Sequence, residues 1–332
     1  MDTSFIILIL IIVLGLSFDF INGFHDTANT IATSVSTRAL QPTTAIFLAG
    51  IMNFCGALLF TGVAQTITKN IVDPFSLENG SLVILAALLS AIIWNLLTWF
   101  FGIPSSSSHA LVGSIAGAAI ASAGVGILNY SGFITIIQAL IISPVVAFGL
   151  GFLMMKLFKI FFQHANLIST NKGFRRFQVV TAALQSFSHG TNDAQKTMGI
   201  MTMALITAGY QTTTDIPLWV RVCVALAMGF GTMIGGWRII RTVGRKITKL
   251  KPINGAAADL SSAIIIFGFT SLRLPVSTTH VISSAIMGVG SAQRFRDVKW
   301  GVARRIVVTW VITLPITALT AGLLYLLIIQ IG

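Results

Sequence analysis

The sequence is short of charged residues. Only 9% of its 332 residues are charged, whereas 55% are hydrophobic and the mean hydropathy is +0.89. Soluble domains carry roughly 25% charged residues, so this chain cannot cover a large water-facing surface. The composition excludes a soluble protein and predicts an all-α polytopic protein of the bacterial inner (plasma) membrane, embedded in the lipid bilayer.

Acidic residues are scarcer than basic ones, nine against 21, and the net charge is +12. Sixteen of the 21 basic residues lie in three segments, 156–176, 238–251 and 294–305. Basic clusters between apolar segments are typical of cytoplasmic loops. We therefore expect no nucleic-acid partner, and the charges predict that the N-terminus lies outside the cell.

The sequence also lacks the signals of an enzyme or a metalloprotein. Its two cysteines, Cys55 and Cys223, lie in apolar stretches and form no disulfide or metal-binding pattern. A phosphotransferase would need a nucleophile, a base and a nucleotide pocket, yet there is no Gly-rich phosphate loop. We expect no enzymatic activity, and no cofactor beyond a co-transported cation.

Polar motifs interrupt two of the hydrophobic stretches. The stretches 4–35 and 177–209 exceed the 20 or so residues that one span needs, and they contain NGFHDTANT and HGTNDAQKT. Polar groups cannot lie bare in hydrocarbon, so these stretches are predicted to be broken helices that face a cavity. Two further regions, 82–128 and 254–292, turn at FGIPSSSSH and RLPVSTTH, which predicts helical hairpins, either spanning or re-entrant.

The two halves of the chain repeat each other. Phe20, Gly23, Asp26 and Thr30 align with Phe187, Gly190, Asp193 and Thr197, and Pro104, Ser106, His109, Ile115 and Gly117 align with Pro275, Ser277, His280, Ile286 and Gly288. Each half has a broken span, a span, a hairpin and a span, which make an odd number of net crossings. The sequence therefore predicts two inverted repeats, 1–162 and 177–332, joined by a basic cytoplasmic linker, 163–176. Inverted repeats with broken helices are a signature of secondary transporters.

Two intramembrane carboxylates, Asp26 and Asp193, occupy equivalent positions in the two repeats. Ionisable residues inside a membrane are costly and point to function, and inversion would bring this pair together near the bilayer centre. With the amides of Asn29 and Asn192, they offer oxygen ligands for Na⁺ or carboxylates for protons. They are predicted to couple transport to a cation; alternatively, each Asp caps a half-helix.

Hydroxyl residues follow the proline at both hairpin tips. A turn of hydroxyls that opens a helix presents side-chain donors and backbone N–H groups at the positive end of the helix dipole. Two symmetric tips predict a site for a tetrahedral anion, although ordinary N-capping is the alternative. The candidate anion-binding residues are Ser105, Ser106, Ser107, Ser108, Ser277, Thr278, Thr279, Asn29, Asn192 and Lys196.

Lys196 breaks the symmetry, because it stands where the first repeat has Asn29. Its ammonium could replace one bound cation, contact the anion, or form a structural salt bridge with Asp193. Replacement of a cation would leave fewer bound metal ions and favours proton coupling. Histidines are weaker signals.

Four motifs in order, NGFHDTANT, IWNLLTWFFGIPSSSSH, HGTNDAQKTMG and LPVSTTH, resemble those of the Pit-type inorganic phosphate transporter family over nearly the whole chain. The resemblance implies phosphate as substrate, a homodimer, and a site made of Asp26, Asn29, Asn192, Asp193 and the tip hydroxyls. Sodium-coupled members carry a GANDVANA pattern in both repeats. The second motif here is instead similar to the proton-coupled bacterial branch, which includes permeases for a neutral metal–phosphate complex.

The leading hypothesis is a proton-coupled symporter of inorganic phosphate. A sodium-coupled symporter, in which Asp26 and Asp193 would be metal ligands, is one alternative, and a sulfate permease of the same fold is another. Phosphate can donate hydrogen bonds at neutral pH and sulfate cannot, so a carboxylate that accepts from the anion would select phosphate. A passive channel would show no cation dependence.

Overall fold

The computed structural model describes residues 3–77, 79–234, 240 and 242–331. Its α-helices are α1 (Thr3–Ser36), α2 (Pro42–Leu59), α3 (Gly62–Asn70), α4 (Gly80–Phe101), α5 (Ser107–Ala123), α6 (Tyr130–Phe162), α7 (Leu167–Thr207), α8 (Leu218–Ile234), α9 (Pro252–Ser271), α10 (Thr278–Gln293) and α11 (Trp300–Ile331). Short 3-10 turns lie at Pro74–Ser76, Val125–Ile127 and Phe295–Asp297, and a π-helical turn at Thr242–Lys246. Arg238 and Arg241, two members of the basic segment 238–251, lie outside the described residues.

Six of the described helices are long and apolar enough to cross a membrane: α1, α2, α4, α6, α9 and α11. Large apolar side chains project from them into the surroundings, such as Phe161 on α6 and Val311 on α11, which are 75% and 68% exposed. A surface with this many exposed apolar side chains is typical of one that faces lipid. The predicted all-α polytopic membrane fold is confirmed.

The two helices predicted to be broken are continuous. Helix α1 runs unbroken through the motif at 22–30, and α7 runs unbroken through the motif at 189–197. Both motifs are fully enclosed by neighbouring helices, and polar side chains such as those of Asp26 and Asp193 find hydrogen-bond partners there. Because the motifs are surrounded by protein instead of lipid, the backbone does not have to unwind, and the prediction of broken helices is wrong.

Equivalent elements of the two halves make equivalent contacts, each with the other half. Helix α5 packs on α11 as α10 packs on α6, and α1 packs on α8 as α7 packs on α2. Two aligned glycines lie at close helix–helix approaches, since Gly117 meets the backbone of Ala318 and Gly288 meets that of Phe148. Missing side chains let helices in membranes approach closely. The halves are thus interlocked, while their inversion relative to the membrane stays a prediction.

Helix α7 begins within the predicted linker. The side chain of Asn166 caps it by accepting hydrogen bonds from the N–H groups of Ile168 and Ser169. Residues 167–176 of the predicted linker 163–176 therefore belong to α7. The domain boundaries and the cytoplasmic location of this segment stay predictions.

Candidate transport site

The tips of both hairpins meet in the interior, beside the middle of α1 and α7. The hydroxyl of Ser108, on the first tip, donates to the carbonyl of Val276 on the second tip over 2.9 Å. The prolines stop the preceding helices, and Ser106 and Ser277 then cap α5 and α10 by accepting from the N–H groups of His109 and His280. The tips therefore end at the same place, where their remaining hydroxyls face the carboxylates.

Asp26 joins the two tips. Its Oδ2 accepts a hydrogen bond from Ser107 Oγ over 2.5 Å, and its Oδ1 accepts from Thr279 Oγ1 over 3.1 Å. His25 Nδ1 lies 2.6 Å from the same Oδ1. The carboxylate is 1% exposed, so these contacts take the place of water.

Asp193 mirrors this arrangement in the second repeat. Its Oδ2 accepts from Thr278 Oγ1, the counterpart of Ser107, over 2.9 Å, and lies 3.1 Å from His189 Nε2. Its Oδ1 forms a salt bridge with Lys196. Both carboxylates predicted from the sequence are thus held by hydroxyls of the hairpin tips.

Asn29 and Lys196 reach across to the tip of the opposite repeat. Asn29 Nδ2 donates to Thr279 Oγ1 over 2.8 Å, and Lys196 Nζ donates to the equivalent Ser108 Oγ over 2.5 Å. Lys196 Nζ also donates to the carbonyl of Val276 over 3.0 Å. In the described part of the chain, Asn29 Oδ1 is buried and has no hydrogen-bond partner. The first half of the site therefore keeps an unused oxygen where the second half holds an ammonium.

Asn192 holds the backbone of the second tip and does not face the hydroxyls. Its Oδ1 accepts from Val276 N, and its Nδ2 donates to Thr270 Oγ1 and to the carbonyl of Leu274. These three hydrogen bonds occupy most of the donors and acceptors of the Asn192 amide. A direct role of Asn192 at an anion or cation stays a prediction.

The seven tip hydroxyls divide into two groups. Those of Ser106 and Ser277 are N-caps, and that of Ser105 donates to Thr98 Oγ1 over 2.8 Å, which ties the first tip to α4. Those of Ser107, Ser108, Thr278 and Thr279 converge on the carboxylates, on Asn29 or on neighbouring backbone. Contact of this second group with an anion stays a prediction.

Two histidines that the sequence analysis did not place in the candidate site contact its carboxylates, namely His25 and His189. His25 also lies 3.1 Å from Thr98 Oγ1, and His189 Nδ1 lies 3.1 Å from Asn53 Oδ1. Their signal in the sequence is their spacing, one and four residues before an intramembrane Asp.

Two further carboxylates lie away from this site. Asp19 accepts from Thr197 Oγ1 over 2.8 Å, and Asp259 accepts from Thr33 Oγ1 over 2.5 Å. All the side chains of the site are buried. An oxyanion here would require the hydroxyls to turn from the carboxylates to the anion, and binding of an anion and of a cation by these residues stays a prediction.

A model of the phosphate transporter family matches residues 22–321. The chain belongs to the phosphate transporter family. Relatives are named probable low-affinity inorganic phosphate transporters: that of Bacillus subtilis is 64% identical over 99% of both chains, and that of Rhizobium meliloti is 46% identical over 97% of this chain and 96% of its own. The predicted phosphate transporter is confirmed, and the chain is not an enzyme.

A solved structure, that of a sodium-dependent phosphate transporter, has the same fold as this member of the phosphate transporter family. The TM-score is 0.90, the sequences are 27% identical, and the match covers 98% of this chain and all of the other. The similarity extends over both repeats. The resemblance that the motifs predicted is therefore confirmed at the level of the family and of the whole fold.

Proposed function

We propose that this phosphate transporter is a symporter that couples the uptake of inorganic phosphate to a cation, and that the cation is a proton. The observation that carries the proposal is that Asp26 and Asp193 each accept a hydrogen bond from a tip hydroxyl, Ser107 and Thr278. A phosphate that recruits those hydroxyls leaves each carboxylate without a donor. An exposed negative charge beside an anion is unfavourable, so phosphate binding and cation binding support each other.

The membrane potential supplies the reason for coupling. Moving each negative charge into a negative-inside cell costs about 2.3 kcal/mol per 100 mV. Cations that enter with the anion remove that cost. Asp26 and Asp193 are the carboxylates at the site, and Asp193 already holds the ammonium of Lys196, which leaves Asp26 to carry a cation that enters with the anion.

Lys196 supports a proton as the coupling ion. Its ammonium lies among a carboxylate, a hydroxyl and a carbonyl oxygen, those of Asp193, Ser108 and Val276, which are ligand types that alkali and alkaline-earth cations use. A tethered cation thus fills the second half of the site. The sodium-dependent structural relative favours the alternative, in which Asp26, Asn29 Oδ1 and Thr279 bind Na⁺ in the first half.

The proposed orientation rests on the distribution of charge, and the proposed homodimer, inner-membrane location and metal–phosphate cargo rest on the family resemblance. Lysines and arginines from three separate segments, such as Lys159, Lys249 and Arg294, gather at one end of the molecule, which supports a single cytoplasmic face with the N-terminus outside. The family resemblance supports a homodimer in the inner membrane. Transport of a metal–phosphate complex follows from the similarity of the second motif to that branch.

The test is uptake of radiolabelled phosphate into proteoliposomes that contain the purified protein. A proton gradient and then a sodium gradient are imposed, each with excess sulfate as competitor and with or without Mg²⁺. We expect uptake driven by protons, unaffected by sulfate and absent when no cation gradient exists. Uptake driven by sodium alone would overturn proton coupling, and uptake that needs no cation would mean a passive channel.

A further inference from the structure

A basic cavity opens where α6 and α10 end. It has a volume of about 750 Å³ and is formed by four segments: the end of α6, the beginning of α7, the residues before and at the start of α9, and the turn after α10. Its basic lining residues are Lys159, Lys249, Lys251, Arg294, Arg296 and Lys299, all exposed, and Asp297 also lines it. Within the described ranges, the ion pairs involve none of these residues. We call this cavity the basic basin.

An apolar groove adjoins the basic basin. It has a volume of about 600 Å³ and lies between the end of α6 and the beginning of α7. Its floor is aromatic, since the ring of Phe174 lies 5.3 Å from that of Phe158 and 5.0 Å from that of Phe162. Phe158, Phe162, Ala165 and Thr170 line both cavities. We call this second cavity the aromatic groove, and it continues the basin along the lipid-facing surface.

The fold itself does not require the positive charges. In the first repeat, the turn Val125–Ile127 is equivalent to the turn Phe295–Asp297 of the second repeat. The residue that follows each turn makes an equivalent backbone hydrogen bond: Asn129 N donates to Ile71 O over 3.0 Å, and Lys299 N donates to Ile247 O over 2.9 Å. Residues 123–129 contain no Lys or Arg. The same backbone turn therefore forms without cations, so the turn itself does not require Arg294, Arg296 and Lys299.

We propose that the basic basin and the aromatic groove together bind one anionic phospholipid, with its headgroup phosphate in the basin and an acyl chain in the groove. Basic pockets between membrane helices at the inner surface attract anionic headgroups, and an apolar groove beside such a pocket fits a hydrocarbon chain. A free phosphate ion would use the basin but leave the groove empty. The lipid contacts α6 of the first repeat and α7 of the second, so it joins the two halves at this surface.

The experiment uses the full-length transporter, delipidated and reloaded with phosphatidylglycerol and phosphatidylcholine. Retained lipids are identified by native mass spectrometry, and affinity for phosphatidylglycerol is titrated at low salt. The test variant is the triple substitution Arg294→Gln, Arg296→Gln and Lys299→Gln. The matched control is Lys172→Gln, Arg175→Gln and Arg176→Gln, which removes the same number of exposed charges from the beginning of α7, outside both cavities.

We expect the wild type and the control to retain one phosphatidylglycerol in preference to phosphatidylcholine. Each basic residue near an anionic headgroup contributes to the binding free energy. Loss of three such residues should therefore weaken the affinity for phosphatidylglycerol on the order of 100-fold. A second variant, Gly173→Trp, fills the groove without changing charge, because a side chain at Gly173 meets open space. It should lower retention of phosphatidylglycerol and leave the basin intact.

Three results would overturn the proposal. Equal losses in the basin and control variants would mean a general effect of surface charge. Displacement of the lipid by millimolar inorganic phosphate, with Gly173→Trp behaving as wild type, would assign the basin to free phosphate. A dimer that dissociates only in the basin variant, without a change in retained lipid, would assign the surface to a second copy of the chain.

Discussion

Replacing Lys196 by asparagine removes the fixed ammonium and places at this position the residue that the first repeat carries, Asn29. Removing one partner of a buried ion pair costs about 3–5 kcal/mol. Asp193 keeps two contacts, Thr278 Oγ1 at 2.9 Å and His189 Nε2 at 3.1 Å. We therefore expect the free energy of unfolding to fall by an amount near the lower limit, about 3 kcal/mol.

Sodium should restore most of that loss if Lys196 occupies a cation site. An ion present at 100 times its Kd stabilises the folded state by about 2.7 kcal/mol. The assay compares the Tm of purified Lys196→Asn in sodium chloride and in choline chloride at the same ionic strength. The Tm should rise in sodium, and phosphate uptake into proteoliposomes should become sodium-dependent.

The control is Lys196→Arg, which keeps a permanent cation next to Asp193 and should show no response to sodium. Wild type should behave like this control. An active Lys196→Asn variant whose proton dependence is unchanged, and whose Tm and uptake ignore sodium, would refute the reasoning. In that case Lys196 would be a structural partner of Asp193 and nothing more.

Asp26→Asn should abolish coupled uptake while the protein still elutes as a folded species on size-exclusion chromatography; wild-type uptake would remove Asp26 from the mechanism. Ser107→Ala should lower phosphate uptake at least tenfold, because Ser107 donates to Asp26 Oδ2. Ser106→Ala should instead cost about 1 kcal/mol of stability through the lost N-cap, and equal transport defects in the two variants would contradict this division of roles. In a background without native cysteines, a cysteine at Lys69 should label from outside and one at Lys249 from inside, and the reverse pattern would overturn the orientation.

The sequence was sufficient for the fold class and for most of the residues that meet. Hydropathy alone required a polytopic membrane protein, and the duplicated motifs identified Asp26 and Asp193 as equivalent positions. The family resemblance implied a site that contains these carboxylates and the hydroxyls of both tips, and two of those hydroxyls, Ser107 and Thr278, form hydrogen bonds with them. These features could be predicted because alignment of the two repeats identifies equivalent residues from their spacing along the chain.

The remaining features depend on which helices pack together. The sequence predicted broken helices because it could not reveal that neighbouring helices enclose the polar motifs of α1 and α7. The contact of Lys196 with Ser108 crosses 88 positions and joins the two repeats. His25 and His189 were weak signals in the sequence, and only the packing shows that their rings contact carboxylates.

The hydrogen bonds between the two repeats show that the two halves of the site are similar in geometry but not in charge. Asn29 with Thr279 and Lys196 with Ser108 are equivalent pairs, so the two halves share one geometry and differ in charge. The second half holds its cation in every state, because Lys196 is part of the chain. The first half, with Asp26 and the unused Oδ1 of Asn29, can gain and lose a positive charge. On the proposed function, we therefore expect the first half to couple transport, because an ion or proton bound there can be released on the other side of the membrane and so uses the membrane potential.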